Sequence, residues 1–365
     1  MSSNVLQDTV SSLYSQKNIE FVEDFCSKNS VPRFILGRNI YAESVLSQIS
    51  VDGIIDDFTD DKCFLDVPII KLDQVPKGAL VLCVAGGRPL SAKGLLEKRN
   101  IRNLDYFAFY KLSKLKLLPI RFNEGFEADY KINNLEYQWI YSKLADEESK
   151  NYFKKLVGFR FTYDMKYLDG FTHREDIQYF EDFLNLGDEA EIFLDVGCFD
   201  GYTSLEFAKR CPDYKSIHIF EPDPVNFLVC KRALSSFKNV YFHPIGLSKS
   251  KASLKFDIQG SSSKFSEDGA VTINVNRLDD VLHEKPTFIK FDIEGGESEA
   301  ILGASMTILN SHPKLAVAVY HSAGDFWRLP KQILAIRDDY EIYLRHYTEC
   351  IYETVMFFIP KLSEE

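Results

Sequence analysis

Ile192-Phe193-Leu194-Asp195-Val196-Gly197-Cys198-Phe199-Asp200-Gly201 (residues 192–201) reads as an apolar strand that breaks into a small-residue loop, followed by a helix beginning near Thr203. In an open parallel α/β sheet the first strand delivers its ligand loop at its carboxyl end. Gly197 allows a sharp turn there, and Gly201 admits close helix approach with no Cβ in the way. The glycines follow G-x-x-x-G rather than G-x-G-x-x-G, so Cys198 and Phe199 stand where a diphosphate-binding loop needs a second glycine. A dinucleotide fits this loop poorly. A ligand with an amino-acid tail fits better, because backbone amides hold a carboxylate while Asp195 or a nearby carbonyl receives an ammonium.

Working outward, the next apolar run, 217–221, ends in Phe220-Glu221-Pro222-Asp223. An acidic side chain at that position is suited to accept both hydroxyls of a ribose, and a charged acceptor makes each bond stronger. Pro222 can lie flat against a purine, and Pro224 opens the following helix where its missing N–H does no harm. Further strands are expected at 240–244, 288–292, 315–320, 340–344 and 355–359, which makes seven in all. Helices fall at 203–210, 224–235, 297–309 and 326–337, and 252–275 reads as an added hairpin. The last two strands are too close in sequence for a helix between them, so they should pair antiparallel. A doubly wound sheet finished by such a hairpin is the outline of a class I methyltransferase domain, here expected over 188–365.

The fourth of these strands runs Phe288-Ile289-Lys290-Phe291-Asp292-Ile293-Glu294-Gly295-Gly296-Glu297 into an acidic, glycine-rich turn. Burying carboxylates is costly unless they meet a cation, a donor or water, so these are expected to face a ligand cleft. Glu297 also suits a helix N-terminus with no chemistry at all. Asp292, Glu294 and His321, the last following the fifth strand, offer hard oxygen and imidazole ligands to a divalent ion. No spacing there is diagnostic, so a divalent metal is possible but not predicted. The stretch Gly260-Ser261-Ser262-Ser263-Lys264 reads equally as a loop closing over an acceptor or as a solvated hairpin tip.

The first half has the same grammar. Strands at 33–36, 53–56 and 79–85 alternate with helices at 40–49 and 91–99, and the strands end in Gly37, Asp56-Asp57 and Gly86-Gly87. This predicts a Rossmann-like βαβ domain over 1–118. Its role is open between binding a nucleotide sugar, pairing subunits and a degenerate fold. Between the halves, 119–187 carries helical periodicity in Leu135, Trp139, Leu144, Leu156 and Phe159 and reads as a helical connector too rich in aromatics for a flexible linker.

Composition limits the functions further. The 365 residues allow two domains, with 45% hydrophobic and 27% charged residues as in a soluble globular protein. Lys plus Arg total 43 against 54 for Asp plus Glu, a formal charge of −11 that repels nucleic acid and anionic lipid. The seven cysteines form no C-x-x-C pair and sit mostly in apolar runs, so neither disulfide nor zinc is expected. Residues 1–16 lack a secretory pattern, and the longest apolar runs are well short of the roughly 18–20 residues a spanning helix needs. A cytoplasmic protein with no integral membrane segment is expected.

Together, Asp195–Gly201, Phe220-Glu221-Pro222, Arg277-Leu278-Asp279-Asp280, the 289–297 turn and Val319-Tyr320-His321 resemble the FkbM family of S-adenosylmethionine-dependent methyltransferases. The tail, Tyr343-Leu344-Arg345-His346-Tyr347 followed by Glu353-Thr354-Val355, is similar to the closing hairpin of many members. Many members have a small residue and Asn where this chain has Cys198 and Phe199. The resemblance implies O-methylation of a sugar or polyketide hydroxyl, with a small molecule or glycan as partner, a role in polysaccharide biosynthesis, and S-adenosylhomocysteine as product. It places the cofactor on Asp195, Gly197, Cys198, Gly201, Tyr202 and Thr203 from the first loop. Glu221, Pro222, Gly246 and Asp292 complete the cofactor set. Asp292 and His321 are the candidate catalytic bases: His321 titrates nearer neutrality, whereas a carboxylate relies on burial to raise its pKa. A nicotinamide-dependent sugar-nucleotide oxidoreductase, using the Tyr110-to-Lys114 spacing, and a non-catalytic interaction protein are the competing readings. Whether the chain forms a homo-oligomer is left open.

Overall fold

The computed structural model describes residues 14–27, 31–187, 190–257, 264–265 and 271–361. The chain divides into two compact units, one of residues 1–128, 153–174 and 347–352 and the other of 129–152, 175–346 and 353–365. The stretch 119–187, expected as a separate connector, is thus shared between the units. It is helical as its periodicity indicates.

In the first unit the chain runs α1 (Gln16–Cys26), β1 (Arg33–Leu36), α2 (Ile40–Leu46), β2 (Gly53–Ile55), β3 (Cys63–Phe64), β4 (Val67–Ile70), β5 (Leu80–Cys83), α3 (Pro89–Glu97), β6 (Arg102–Asp105) and α4 (Tyr106–Leu112). Its six strands are ordered β3-β4-β2-β1-β5-β6, all parallel except β3. Ile35, Ile54, Val81 and Leu82 are wholly buried, as the continuous apolar character of central parallel strands requires. Gly37 turns at φ +110°, and Asn39 caps α2 by accepting from the N–H groups of Tyr41 and Ala42. Helix α4 ends at Leu112, so Tyr110 and Lys114 do not share one helix face as an oxidoreductase pair would need. The Tyr110 ring instead lies 5.8 Å from that of Tyr163.

Two long helices follow, α5 (Phe126–Lys143) and α6 (Glu147–Thr162). The second unit then continues with β7 (Ile192–Val196), α7 (Tyr202–Arg210), β8 (Ser216–Phe220), α8 (Pro224–Ala233) and β9 (Val240–His243). Next come β10 (Gly246–Leu247), β11 (Ala252–Asp257), β12 (Lys264–Phe265), β13 (Val271–Asn276) and α9 (Leu278–Val281). The chain closes with β14 (Phe288–Phe291), α10 (Glu297–Gly303), α11 (Ser305–Ser311), β15 (Lys314–Ala318), α12 (Asp325–Ile336), β16 (Tyr340–His346) and β17 (Thr354–Pro360).

The main sheet has seven strands in the order β16-β17-β15-β14-β7-β8-β9. Strands β7, β8, β9, β14 and β15 are parallel, and β17 runs antiparallel to both β15 and β16, as the short connection between the last two strands demands. The strands β10 to β13 form a smaller four-stranded sheet, which includes the expected 252–275 hairpin. Residues 260–263, a candidate acceptor loop, lie outside the described residues. The helix expected over 297–309 is broken at Ala304 into α10 and α11. Gly303 lies against the neighbouring backbone there, and a Cβ on it would stand 2.1 Å from the Ser248 carbonyl oxygen. No helix among the described residues is long and apolar enough to cross a membrane.

The order reverses direction at β7: β8 and β9 lie on one side and β14 and β15 on the other. A crevice opens at the carboxyl ends of strands at such a switch point. Its floor is set by backbone packing. Gly197, at φ +81°, approaches β14 so closely that a Cβ would stand 1.9 Å from the Asp292 carbonyl oxygen. Gly197→Ala is therefore expected to lose about 3 kcal/mol or more of stability, read as a fall in denaturation midpoint.

Candidate active site

The switch-point crevice is a cleft of about 490 Å³, within the range of small-molecule sites. Beneath it lies a buried ion pair. Lys290 Nζ stands 2.9 Å from Asp195 Oδ1 and donates at 2.6 Å to the Gly197 carbonyl, while Ser204 Oγ donates to Asp195 Oδ2 at 2.7 Å. Burial opposes the Lys290 charge, but Asp195 and Asp292 outweigh it and hold the ammonium above its ordinary pKa. Asp195, wholly buried, spends its carboxylate on Lys290 and Ser204 and does not line the cleft. It positions the loop rather than receiving a ligand ammonium, in contrast to the expectation from sequence.

Six other expected residues of the two loops, Gly197, Cys198, Tyr202, Thr203, Glu221 and Pro222, do line the cleft, as do Gly246 and Asp292. Gly201 caps α7 at φ +88°, with room for a Cβ only 3.3 Å from the Cys230 Cα. Glu221 is buried at the carboxyl end of β8. Its Oε2 accepts from the Phe199 N–H and its Oε1 from the Asp223 N–H, both at 2.9 Å. Each oxygen retains a lone pair, so the carboxylate can take two further donors. Burial pushes its pKa up to about 7 against the opposing pull of those two N–H groups. Gly246 faces the same end, where a Cβ would stand 3.6 Å from Pro222 Cγ.

At the opposite end, the turn after β14 gathers carboxylates around one imidazole. His321 Nδ1 lies 3.0 Å from Glu297 Oε1, and its Nε2 lies 3.5 Å from Asp292 Oδ1 and 3.9 Å from Glu294 Oε1. Burial would strip the proton from His321, but Glu297, Asp292 and Glu294 outweigh it and raise the titration to about 10. The His321 side chain is fully buried and does not line the cleft. A proton held that firmly makes a poor base at neutral pH, which corrects the expectation that His321 has the more useful pKa. Glu297 also accepts from the Ile293 N–H at 2.8 Å, so it braces the turn.

Several cleft residues escaped sequence reasoning. Tyr179 Oη donates to Asp292 Oδ2 at 2.6 Å. Glu353, which precedes β17, accepts from Gln178 Nε2 at 2.6 Å and from Tyr320 Oη at 3.1 Å. Burial and the nearby Asp292 push the Glu353 carboxyl up to about 7. The aromatic richness of the stretch before β7 was the one signal for Tyr179 and Phe180. Glu353 was marked only as part of the closing hairpin, with no role at the cleft.

Residues 195–347 match the methyltransferase FkbM domain model. Over those residues the chain is similar to a methyltransferase domain of the FkbM type. A methyltransferase FkbM from Methylobacillus flagellatus KT is similar in structure, with 22% identity, a TM-score of 0.74 and coverage of 94% of this chain and 93% of that one. An rRNA methylase from Streptococcus thermophilus is 16% identical at a TM-score of 0.34, covering 50% of this chain and 93% of that chain. Fibrillarin from Aeropyrum pernix, bound to S-adenosyl-L-methionine, is 12% identical at a TM-score of 0.32, covering 47% of this chain and 67% of that one. No curated protein matches the sequence.

Two outcomes follow for this site. Lys290→Met leaves Asp195 buried without its counter-charge and is expected to cost about 3–5 kcal/mol in chemical denaturation. Adding Asp195→Asn to that variant should recover part of the loss. With Glu221 titrating at about 7, only its ionised form offers both acceptors, so the affinity for any ligand that donates a hydrogen bond to each oxygen, measured by calorimetry, should rise from pH 6 to pH 8. The stability of the free enzyme carries the opposite sign. The raised Glu221 pKa contributes stability that is full below its ordinary 4.5 and is lost as pH rises through about 7.

Proposed function

We propose that the enzyme transfers a methyl group from S-adenosylmethionine to a hydroxyl of a sugar, nucleotide sugar or glycan precursor in the cytoplasm, in polysaccharide biosynthesis. The observation that carries the cofactor assignment is Glu221, a buried carboxylate with one open acceptor site on each oxygen at the carboxyl end of β8. It suits the two ribose hydroxyls. Pro222 and Gly246 offer a flat, small-side-chain surface for the adenine. The loop from Gly197 to Thr203 and the amino end of α7 suit the amino-acid carboxylate.

When bound, S-adenosylmethionine would supply an electrophilic methyl group to the acceptor oxygen. The chain's own part is then to orient that oxygen and take its proton. Asp292 has one oxygen committed to the Tyr179 hydroxyl, which fixes its direction at the cleft. Glu353 lines the cleft with a carboxyl that titrates near neutrality, and so fits the proton acceptor better than His321 does. Gln178, Tyr179 and Tyr320 add hydrogen-bonding groups and aromatic faces of the kind that hold a polyhydroxylated ring.

The test is incubation with methyl-labelled S-adenosylmethionine and a panel of sugars, nucleotide sugars and surface glycans. Label should appear in an acid-stable product, and calorimetry should show binding of S-adenosylmethionine and none of NAD. Binding of NAD in its place would favour an oxidoreductase, and label found only in non-carbohydrate acceptors would overturn the substrate class. Glu221→Ala should weaken cofactor binding by about ten- to a hundredfold, the value of one or two charge-assisted hydrogen bonds.

A further inference from the structure

Two thiols meet where the first cleft loop packs on α8. Cys198 Sγ lies 3.2 Å from Cys230 Sγ, and both cysteines are buried. Cys198 belongs to the loop after β7 and lines the cleft, whereas Cys230 sits on α8, 32 residues further along the chain. Their meeting follows from Gly201, whose close approach to the Cys230 Cα draws the loop onto the helix. Cys230 Sγ donates to the Phe199 carbonyl at 2.9 Å, which leaves the Cys198 thiol to donate to the Cys230 sulfur. That hydrogen bond, together with burial, holds the Cys198 thiol well above its ordinary pKa. The thiolate is the reactive form, so the pair resists weak oxidants, and a small oxidant reaches it through the cleft.

We propose that Cys198 and Cys230 are a site of oxidative modification, which hydrogen peroxide closes to a disulfide that weakens cofactor binding in the cleft. The Cys198 thiolate attacks the peroxide, forming an S–O bond as the O–O bond breaks, and the released hydroxide takes up the thiol proton as water. The Cys230 sulfur then displaces the oxygen of the Cys198 sulfenic acid, which leaves with the Cys230 proton as a second water. Two thiols are oxidised to one disulfide and one peroxide is reduced to two waters. A disulfide holds its sulfurs at about 2.05 Å, so closure from 3.2 Å moves them together by roughly 1 Å. The loop has little slack for that movement, since Gly197, Phe199 and Gly201 already turn at φ +81°, +55° and +88°. The Phe199 N–H is one of the two donors that brace Glu221, and the S–H bond to the Phe199 carbonyl is lost with the Cys230 proton. Oxidation therefore disturbs the ribose acceptor from both sides of Phe199. The effect on affinity rests on the reading of Glu221 as that acceptor; the disulfide itself does not.

Hydrogen peroxide is the probe. The full-length protein, reduced and then exposed to millimolar peroxide, should yield in a non-reducing digest a peptide pair joined through Cys198 and Cys230, lighter by two hydrogen atoms than its parts. Calorimetry on the oxidised protein should show affinity for S-adenosylmethionine lowered about fivefold or more, the value of one weakened hydrogen bond, and dithiothreitol should restore it. Cys230→Ser keeps a donor for the Phe199 carbonyl; it should form no joined peptide and, reduced, should bind S-adenosylmethionine as the wild type does. If Cys230→Ser does not fold, the wild-type protein carries the test through its linked peptide and the dithiothreitol reversal. Failure to form a disulfide, one formed between other cysteines, or a Cys198–Cys230 disulfide that leaves affinity unchanged overturns the proposal. Reduced protein that does not bind S-adenosylmethionine would instead overturn the reading of the cleft, and the linked peptide would still decide the disulfide.

Discussion

The close approach of Gly197 to the Asp292 carbonyl is the constraint on which the site depends. A side chain of any size there would force apart the loops after β7 and β14, which form the floor of the cleft. Lys290 fastens the same junction from below, because its ammonium joins the Asp195 carboxylate to the Gly197 carbonyl. A lysine buried in the centre of a sheet is tolerable only with such partners. Once the junction is fixed, Glu221 on one side and the Asp292 turn on the other are held at opposite ends of a single crevice.

This arrangement divides the labour of the acidic residues. Glu221 is braced by two backbone N–H groups and keeps acceptor capacity toward the cleft. Glu297 is turned inward, to the Ile293 N–H and the His321 ring. Asp195 is wholly internal. Residues of one chemical type therefore do three different things, and the difference is set by which donors surround each carboxylate.

Much of the fold was legible in the sequence, because buried parallel strands read as unbroken apolar runs and each here ends in a turn signal. The strand that ends at Glu221 and the loop at Gly197 are both found this way. The close of the sheet was legible too, since too few residues separate β16 from β17 for a helix. Other features were hidden because their partners are remote in sequence. Lys290 sits in plain view inside an apolar strand, but its counter-ion is 95 residues away. His321 looked like a near-neutral base because the three carboxylates that hold its proton are brought to it only by the packing of β14 beside β15. Glu353 and Gln178 meet across 175 residues, which no local pattern reports. The helix break at Ala304 adjoins another close backbone approach, at Gly303, that periodicity does not encode.

The most direct measurement is a crystal structure of the enzyme grown with S-adenosylhomocysteine. Both ribose hydroxyls should lie within hydrogen-bond distance of the Glu221 oxygens, with the sulfur directed toward Asp292. A ligand bound elsewhere, or ribose hydroxyls held by other groups while Glu221 faces away, would contradict the assignment of this crevice.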